Sequence, residues 1–107
     1  MTTERTGVVW LESRTDYSVH EVVEMSGLSQ ALIDELIACG ALPVVVTVSS
    51  TYLEAEAVVL AQAARRLRDH FELDDQGLAV AVSLLRRVRM LEAELSDTRA
   101  RGVSEHG

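Results

Sequence analysis

YSVHEVVEMSGLSQALIDELIACGAL, residues 17–42, holds two helix starts and two helix stops. Ser18 and Glu21 stand at the S-x-x-E spacing of a capping box, in which hydroxyl and carboxylate each accept an amide proton that the first helical turn leaves without a partner. Val19, Val22 and Val23 then fall on one face, and Gly27 ends the run after about two turns. A second helix opens at Ser29, a favoured N-cap residue. Leu32, Ile33, Leu36 and Ile37 repeat at the three-to-four spacing, Gly40 stands where a C-terminal glycine belongs, and Pro43 follows. Two short helices joined by a tight glycine-containing turn, over about residues 18–40, predict a helix-turn-helix.

On the N-terminal side, Val8-Val9-Trp10-Leu11 is a short strand-like run that needs a partner to be stable. On the C-terminal side, Val44-Val45-Val46-Thr47-Val48 is a strand of β-branched residues. The two are expected to pair as a small two-stranded sheet. Thr51 and Glu54 repeat the capping-box spacing and are expected to open a third helix with the stripe Leu53, Ala57, Leu60, Ala64, Leu67 and Phe71. Asp74 or Asp75 caps a fourth helix, from about Gln76 to about Thr98, with Leu78, Ala81, Leu85 and Val88 inward. Leu84, Val88, Leu91 and Leu95 continue at a 4, 3, 4 spacing that resembles a coiled-coil seam. The reading is a mainly α fold: one domain over residues 8–98, with a helical hairpin over about 52–98, between flexible ends at 1–7 and 99–107.

Charge sharpens this picture. The net charge is −7, and all ten basic residues are Arg. From Thr15 to Ala64, fifty residues contain no Lys or Arg but seven acids, whereas the rest of the chain balances ten Arg against ten acids. A helix that reads DNA needs donors for base edges and cations for phosphates. The second helix offers Gln30, Asp34, Glu35 and Cys39 instead. Phosphate neutralisation with counterion release dominates DNA affinity, and this segment has no side-chain cation of its own to supply it. Two readings of the acids fit: a merely solvated face, or a docking surface for a basic protein.

Chemistry finds little to work with. His20, His70 and His106 share no metal-ligand spacing, and no glycine-rich phosphate loop is present. The single cysteine, Cys39, is expected to pack at a buried helix end. No catalytic, cofactor-binding or metal-binding residue is therefore assigned, and the chain is expected not to be an enzyme. Arg65, Arg66 and Arg68 suit the negative end of the third helix, and Arg86, Arg87 and Arg89 fit local pairing or a second contact. One cysteine, no signal-like leader and no apolar run near the ~20 residues of a membrane span point to a cytoplasmic protein away from membranes.

The order strand, helix-turn-helix, strand and two longer helices resembles the MerR-like helix-turn-helix superfamily. The segment from Tyr17-Ser-Val-His-Glu to Cys39-Gly-Ala-Leu42 follows its opening and helix-end pattern. True MerR regulators typically carry a basic residue where this chain has Asp34. A narrower similarity, over most of residues 8–96, is to the chaperone-modulator CbpM family. It is carried by Arg65-Arg-Leu-Arg68 with the acidic linker to Asp75, by Gly77-Leu-Ala-Val-Ala-Val-Ser-Leu-Leu85, and by Leu91-Glu-Ala-Glu-Leu95. That resemblance implies a protein that binds the J-domain of a CbpA/DnaJ-type co-chaperone and inhibits its stimulation of the DnaK ATPase. A J-domain presents a basic helix, which an acidic surface complements.

The charge pattern puts Glu21, Glu24, Asp34 and Glu35 first as partner-binding residues, and the seam puts Val88, Leu91 and Leu95 at a homodimer contact. No cofactor is expected. The alternatives are a MerR-type DNA-binding transcriptional regulator and a plain dimerisation or scaffold module.

Overall fold

The computed structural model describes residues 14–106. Four helices and one β-hairpin follow in the order α1 (Val19–Ser26), α2 (Gln30–Ala38), β1 (Val45–Val46), β2 (Thr51–Tyr52), α3 (Ala55–Phe71) and α4 (Asp75–His106). This is the mainly α helix-turn-helix with a small sheet and a helical hairpin that the sequence predicts.

Both helix starts in the opening stretch form as read. Ser18 Oγ accepts from the Glu21 amide at 3.1 Å, and Glu21 Oε1 accepts from the Ser18 amide at 2.9 Å. Ser29 Oγ accepts from the Leu32 amide at 3.2 Å. At the end of α1, Gly27 sits at φ 79°, in the left-handed region. A side chain there would be strained and would also run into the Arg65 guanidinium, so glycine answers two constraints at once.

The sheet differs from expectation. Val45 pairs with Tyr52 and Val46 with Thr51, antiparallel, around a turn in which Thr47 N–H donates to Ser50 O at 2.7 Å. The strand is thus shorter than residues 44–48, and its partner is the next segment of chain. Val8–Leu11, the expected partner, lies outside the described residues. Tyr17 and Leu53 exchange backbone hydrogen bonds at 2.8 Å in both directions, which ties the entry of α1 to the exit of β2.

This pairing also overturns the second capping box. Thr51 belongs to β2, and α3 starts at Ala55 behind Glu54, which makes no side-chain cap. Thr51, Tyr52 and Leu53 are strand formers with backbone partners, and those bonds override the local T-x-x-E signal.

The core lies where the two helices of the turn meet the hairpin. Val22, Leu28, Ile33 and Leu36 from the helix-turn-helix pack with Leu53, with Ala57, Leu60, Ala61 and Ala64 of α3, and with Leu78 and Val82 of α4. The α3 stripe holds as far as Ala64; Leu67 is half-buried, and Phe71, the last residue of the helix, is exposed. In α4, Val82 takes the inward place assigned to Val88, which is exposed. Asp74, rather than Asp75, caps α4, its Oδ1 accepting from the Gly77 amide at 2.7 Å. The helix runs on to His106, past the expected end near Thr98 and through most of the tail expected to fray.

Two arginines lock the layers together. Arg65 of α3 donates to Gly27 O at 2.8 Å, and Arg86 of α4 donates to Gly40 O at 2.6 Å. Gln62 adds a bond to Met25 O at 3.2 Å. Carbonyls at a helix C-terminus carry partial negative charge, so guanidinium groups are apt partners for them. The segment without Lys or Arg is thereby supplied with cations from elsewhere in the chain, at its turns.

Candidate protein-docking surface

The four acids singled out from the sequence do not form one equivalent set. Glu21 is committed to the fold. Its carboxylate takes the Ser18 amide and, at 2.7 Å, the Arg14 guanidinium, whose carbon lies 4.4 Å from the centre of the Tyr17 ring. The Ser18 amide first, and the Arg14 hydrogen bond second, hold the Glu21 carboxyl below its ordinary value of 4.5. Tyr17 beneath is buried, and its phenol is pushed above its ordinary value chiefly by that burial, against the opposing pull of Arg14. Glu21 therefore anchors the first turn, its carboxylate already engaged by the Ser18 amide and Arg14.

A pH prediction follows from this. A carboxyl with a depressed folded value binds fewer protons in the native state than in the unfolded state, so it stabilises at neutral pH and loses that contribution as pH falls through its folded value. Glu21→Gln should lower the melting temperature at neutral pH and narrow the gap to the parent chain as the pH drops from about 5 to about 3. Thermal melts followed by circular dichroism across that range measure it; a gap independent of pH contradicts the assignment.

Glu24 is exposed on α1 and pairs only loosely with His20, at 3.5 Å one turn away. Asp34 and Glu35 are exposed on α2. Among the described residues neither carboxylate meets a cation or a hydrogen-bond donor. Arg65 and Arg86 reach the turns of this region but bond to the Gly27 and Gly40 carbonyls, leaving the α2 acids uncompensated.

The acidic surface also extends beyond the sequence's choice. A shallow cleft of about 350 Å³ between α2 and α4 brings Glu35 and Ala38 together with Asp75, Gln76 and Ala79. The local sequence pattern offers Asp75 as a helix cap, and nothing in it places this residue beside Glu35. Cys39 lines the same cleft, exposed rather than buried, because its sulfur sits at the outer end of α2, 3.5 Å from Leu36 O.

The hairpin that follows α2 continues the absence of cations. Its tip, Val46-Thr47-Val48-Ser49-Ser50, exposes Val46 and Val48 and contains no Lys or Arg. The remaining proposed contact, Val88, Leu91 and Leu95, lies on one exposed face of α4, away from the helix-turn-helix core.

Among the described residues there is no group of three or more His, Cys, Asp or Glu that could hold a metal ion, and no helix long and apolar enough to cross a membrane. The family described as "MerR HTH family regulatory protein" matches residues 17–100, which takes in the helix-turn-helix, the β-hairpin and most of the helical hairpin. No curated protein matches the chain.

Proposed function

Because the chain belongs to the MerR helix-turn-helix regulatory family, we propose that it uses that family's architecture to bind a basic protein, as a modulator that masks the J-domain of a CbpA/DnaJ-type co-chaperone. Glu24, Asp34 and Glu35, joined by Asp75, face the basic helix of the J-domain and cover the surface through which it would stimulate a DnaK-type ATPase. The observation that carries this reading is the exposure of Asp34 and Glu35, uncompensated, on the helix that a DNA reader of this shape would lay in the major groove. Two carboxylates in a groove walled by phosphates are repelled, and the apolar hairpin tip brings no cation to offset them. The same charges attract a cationic helix and speed its encounter. The resemblance of residues 65–95 to the chaperone-modulator family supports the choice of partner.

The second reading, a DNA-binding transcriptional regulator, rests on the regulatory description of the matching family. One experiment separates the two. The protein is titrated against a CbpA-type J-domain and, in parallel, against duplex DNA from its own upstream region, with J-domain-stimulated DnaK ATPase activity as the functional readout. Binding to the J-domain with loss of stimulation is the expected result. Binding to the duplex alone overturns the proposal.

A further inference from the structure

Between α3 and α4 runs a cleft of about 600 Å³. Ala63, Leu67 and Phe71 line it from α3, and Ala81, Leu84 and Leu85 from α4, so each helix turns one apolar stripe toward it. Phe71 is 68% exposed and Leu84 58%, large apolar side chains that the described chain leaves uncovered. The only titratable groups in the lining are Arg66 and His70. His70 Nδ1 meets the Arg66 carbonyl oxygen at 2.8 Å, which orients the ring. Leu84 also lines a second cleft, of about 440 Å³, together with Arg86, Arg87 and Met90.

No Asp or Glu lines either cleft. Arg86 is committed to Gly40 O, and Asp69, the nearest acid along α3, is held by Arg65 at 2.8 Å. Among the described residues the Arg66 and Arg87 guanidinium groups meet no carboxylate and no hydrogen-bond acceptor.

We propose that this groove takes an acidic amphipathic helix of a partner protein, with an apolar row against Phe71 and Leu84 and carboxylates against Arg66 and Arg87. This is a second surface, and the inference holds whichever partner the acidic helix-turn-helix binds.

Charge selects the sign of the occupant. The chain carries a net −7 and as a whole repels an acidic ligand, so unpaired cations gathered without an acid at one apolar site are a local exception that attracts carboxylates. An apolar centre holding an aromatic ring, with arginine around it and charge at the rim, is the anatomy of a protein interface. A small anionic ligand would need polar groups inside the cleft to fix it, and Arg66 and His70 are both exposed.

Backbone chemistry selects its form. The walls are helical along residues 63–67 and 81–85, where amides and carbonyls are already bonded within their own helix. An extended segment would find no backbone partner there. A helix brings its own backbone bonds and sets residues i, i+3 or i+4, and i+7 into such a groove.

The test uses the intact chain and a fluorescein-labelled synthetic helix of about 18 residues, with leucine at those anchor positions and glutamate and alanine elsewhere. Fluorescence anisotropy should show saturable binding, which is lost when serine replaces the leucines. Arg66→Glu should weaken binding about tenfold or more, because it reverses a charge at the contact. Phe71→Ala should weaken it by a similar factor, because it removes the aromatic anchor. Arg99→Glu makes the same charge change on the exposed far part of α4 and should leave the affinity within about twofold. All three positions are exposed, and thermal melts of the variants keep loss of binding apart from loss of fold. Absent binding of the glutamate peptide, or equal weakening by Arg66→Glu and Arg99→Glu, overturns the proposal. So does calorimetric saturation by dodecanoate where the peptide fails to bind, which makes the cleft a small-amphiphile site. A parent chain that sediments as a dimer and is dissociated by Phe71→Ala overturns it as well, because a second copy then fills the groove.

Discussion

Replacing both Asp34 and Glu35 by Arg should weaken the complex with a basic J-domain by about 100-fold or more at low salt, about 2.7 kcal/mol of binding free energy. Each substitution removes an attraction and installs a repulsion, so two changes shift the local charge by four units. Interfacial charge reversals act on encounter as well as on the bound state, and like charges set against each other across an interface cost several kcal/mol. The fold itself should be unaffected. Both side chains are exposed, neither has a partner among the described residues, and Arg is a good helix former that suits the C-terminal turns of α2. The variant should therefore melt within a few degrees of the parent chain while losing its partner, a combination that separates a docking face from a merely solvated one. Isothermal titration with a parallel thermal melt measures both. Unchanged affinity with an unchanged fold would return these acids to the role of solvated surface.

The largest loss of stability should come from Leu60→Ala. Leu60 is fully buried on α3, the helix that packs against α1 on one side and α4 on the other. Truncating a buried leucine costs the transfer energy of the removed carbons plus that of the cavity left behind, about 2–5 kcal/mol in all. In a small domain that is a large share of a total stability of about 5–15 kcal/mol. The neighbours limit relaxation. Ala57, Ala61 and Ala64 are also buried on α3, and alanines have no side-chain length with which to refill the space. Val48→Ala at the exposed hairpin tip is the matched control and should change stability by less than about 0.5 kcal/mol. Urea denaturation of the two variants beside the parent chain gives the comparison.

How much of this was legible in the sequence divides along a physical line. Where one local pattern fixed the outcome, the reading held. Ser18 with Glu21, Ser29, and the 3.6-residue spacing of Leu32, Ile33 and Leu36 need only their own helix to be satisfied. Where a distant segment competed, local signals misled. Thr51 and Glu54 have capping-box spacing, but Thr51 pairs with Val46, and Leu53 bonds to Tyr17, so the helix starts later. Val88 extends the Leu78, Ala81, Leu85 stripe and so reads as inward, but it is exposed, and Val82 is the residue actually enclosed.

The candidate surface shows the same division. The missing Lys and Arg of residues 15–64 are plain in the sequence, and so is the exposure expected of Asp34 and Glu35 on the polar side of α2. That Arg14 neutralises Glu21, that Asp75 joins Glu35 at one cleft, and that Arg65 and Arg86 are committed to Gly27 and Gly40 all depend on how the helices pack. The helix-turn-helix is thus acidic at its exposed helix face and cation-bound at its turns, a distribution that charge counting along the chain could not resolve.

The central claim is that this helix-turn-helix meets a cationic protein helix through charge, in place of a nucleic acid. A salt titration of its affinity for a CbpA-type J-domain tests it most directly. Exposed charges separated by more than about 10 Å are screened at 0.1 M ionic strength, so an interface steered by charge weakens steadily as salt is added. Binding that is tight at low salt, falls as salt rises, and loses that dependence in the Asp34→Arg, Glu35→Arg chain is the result predicted. Absent binding at low salt, or affinity indifferent to salt, would contradict it.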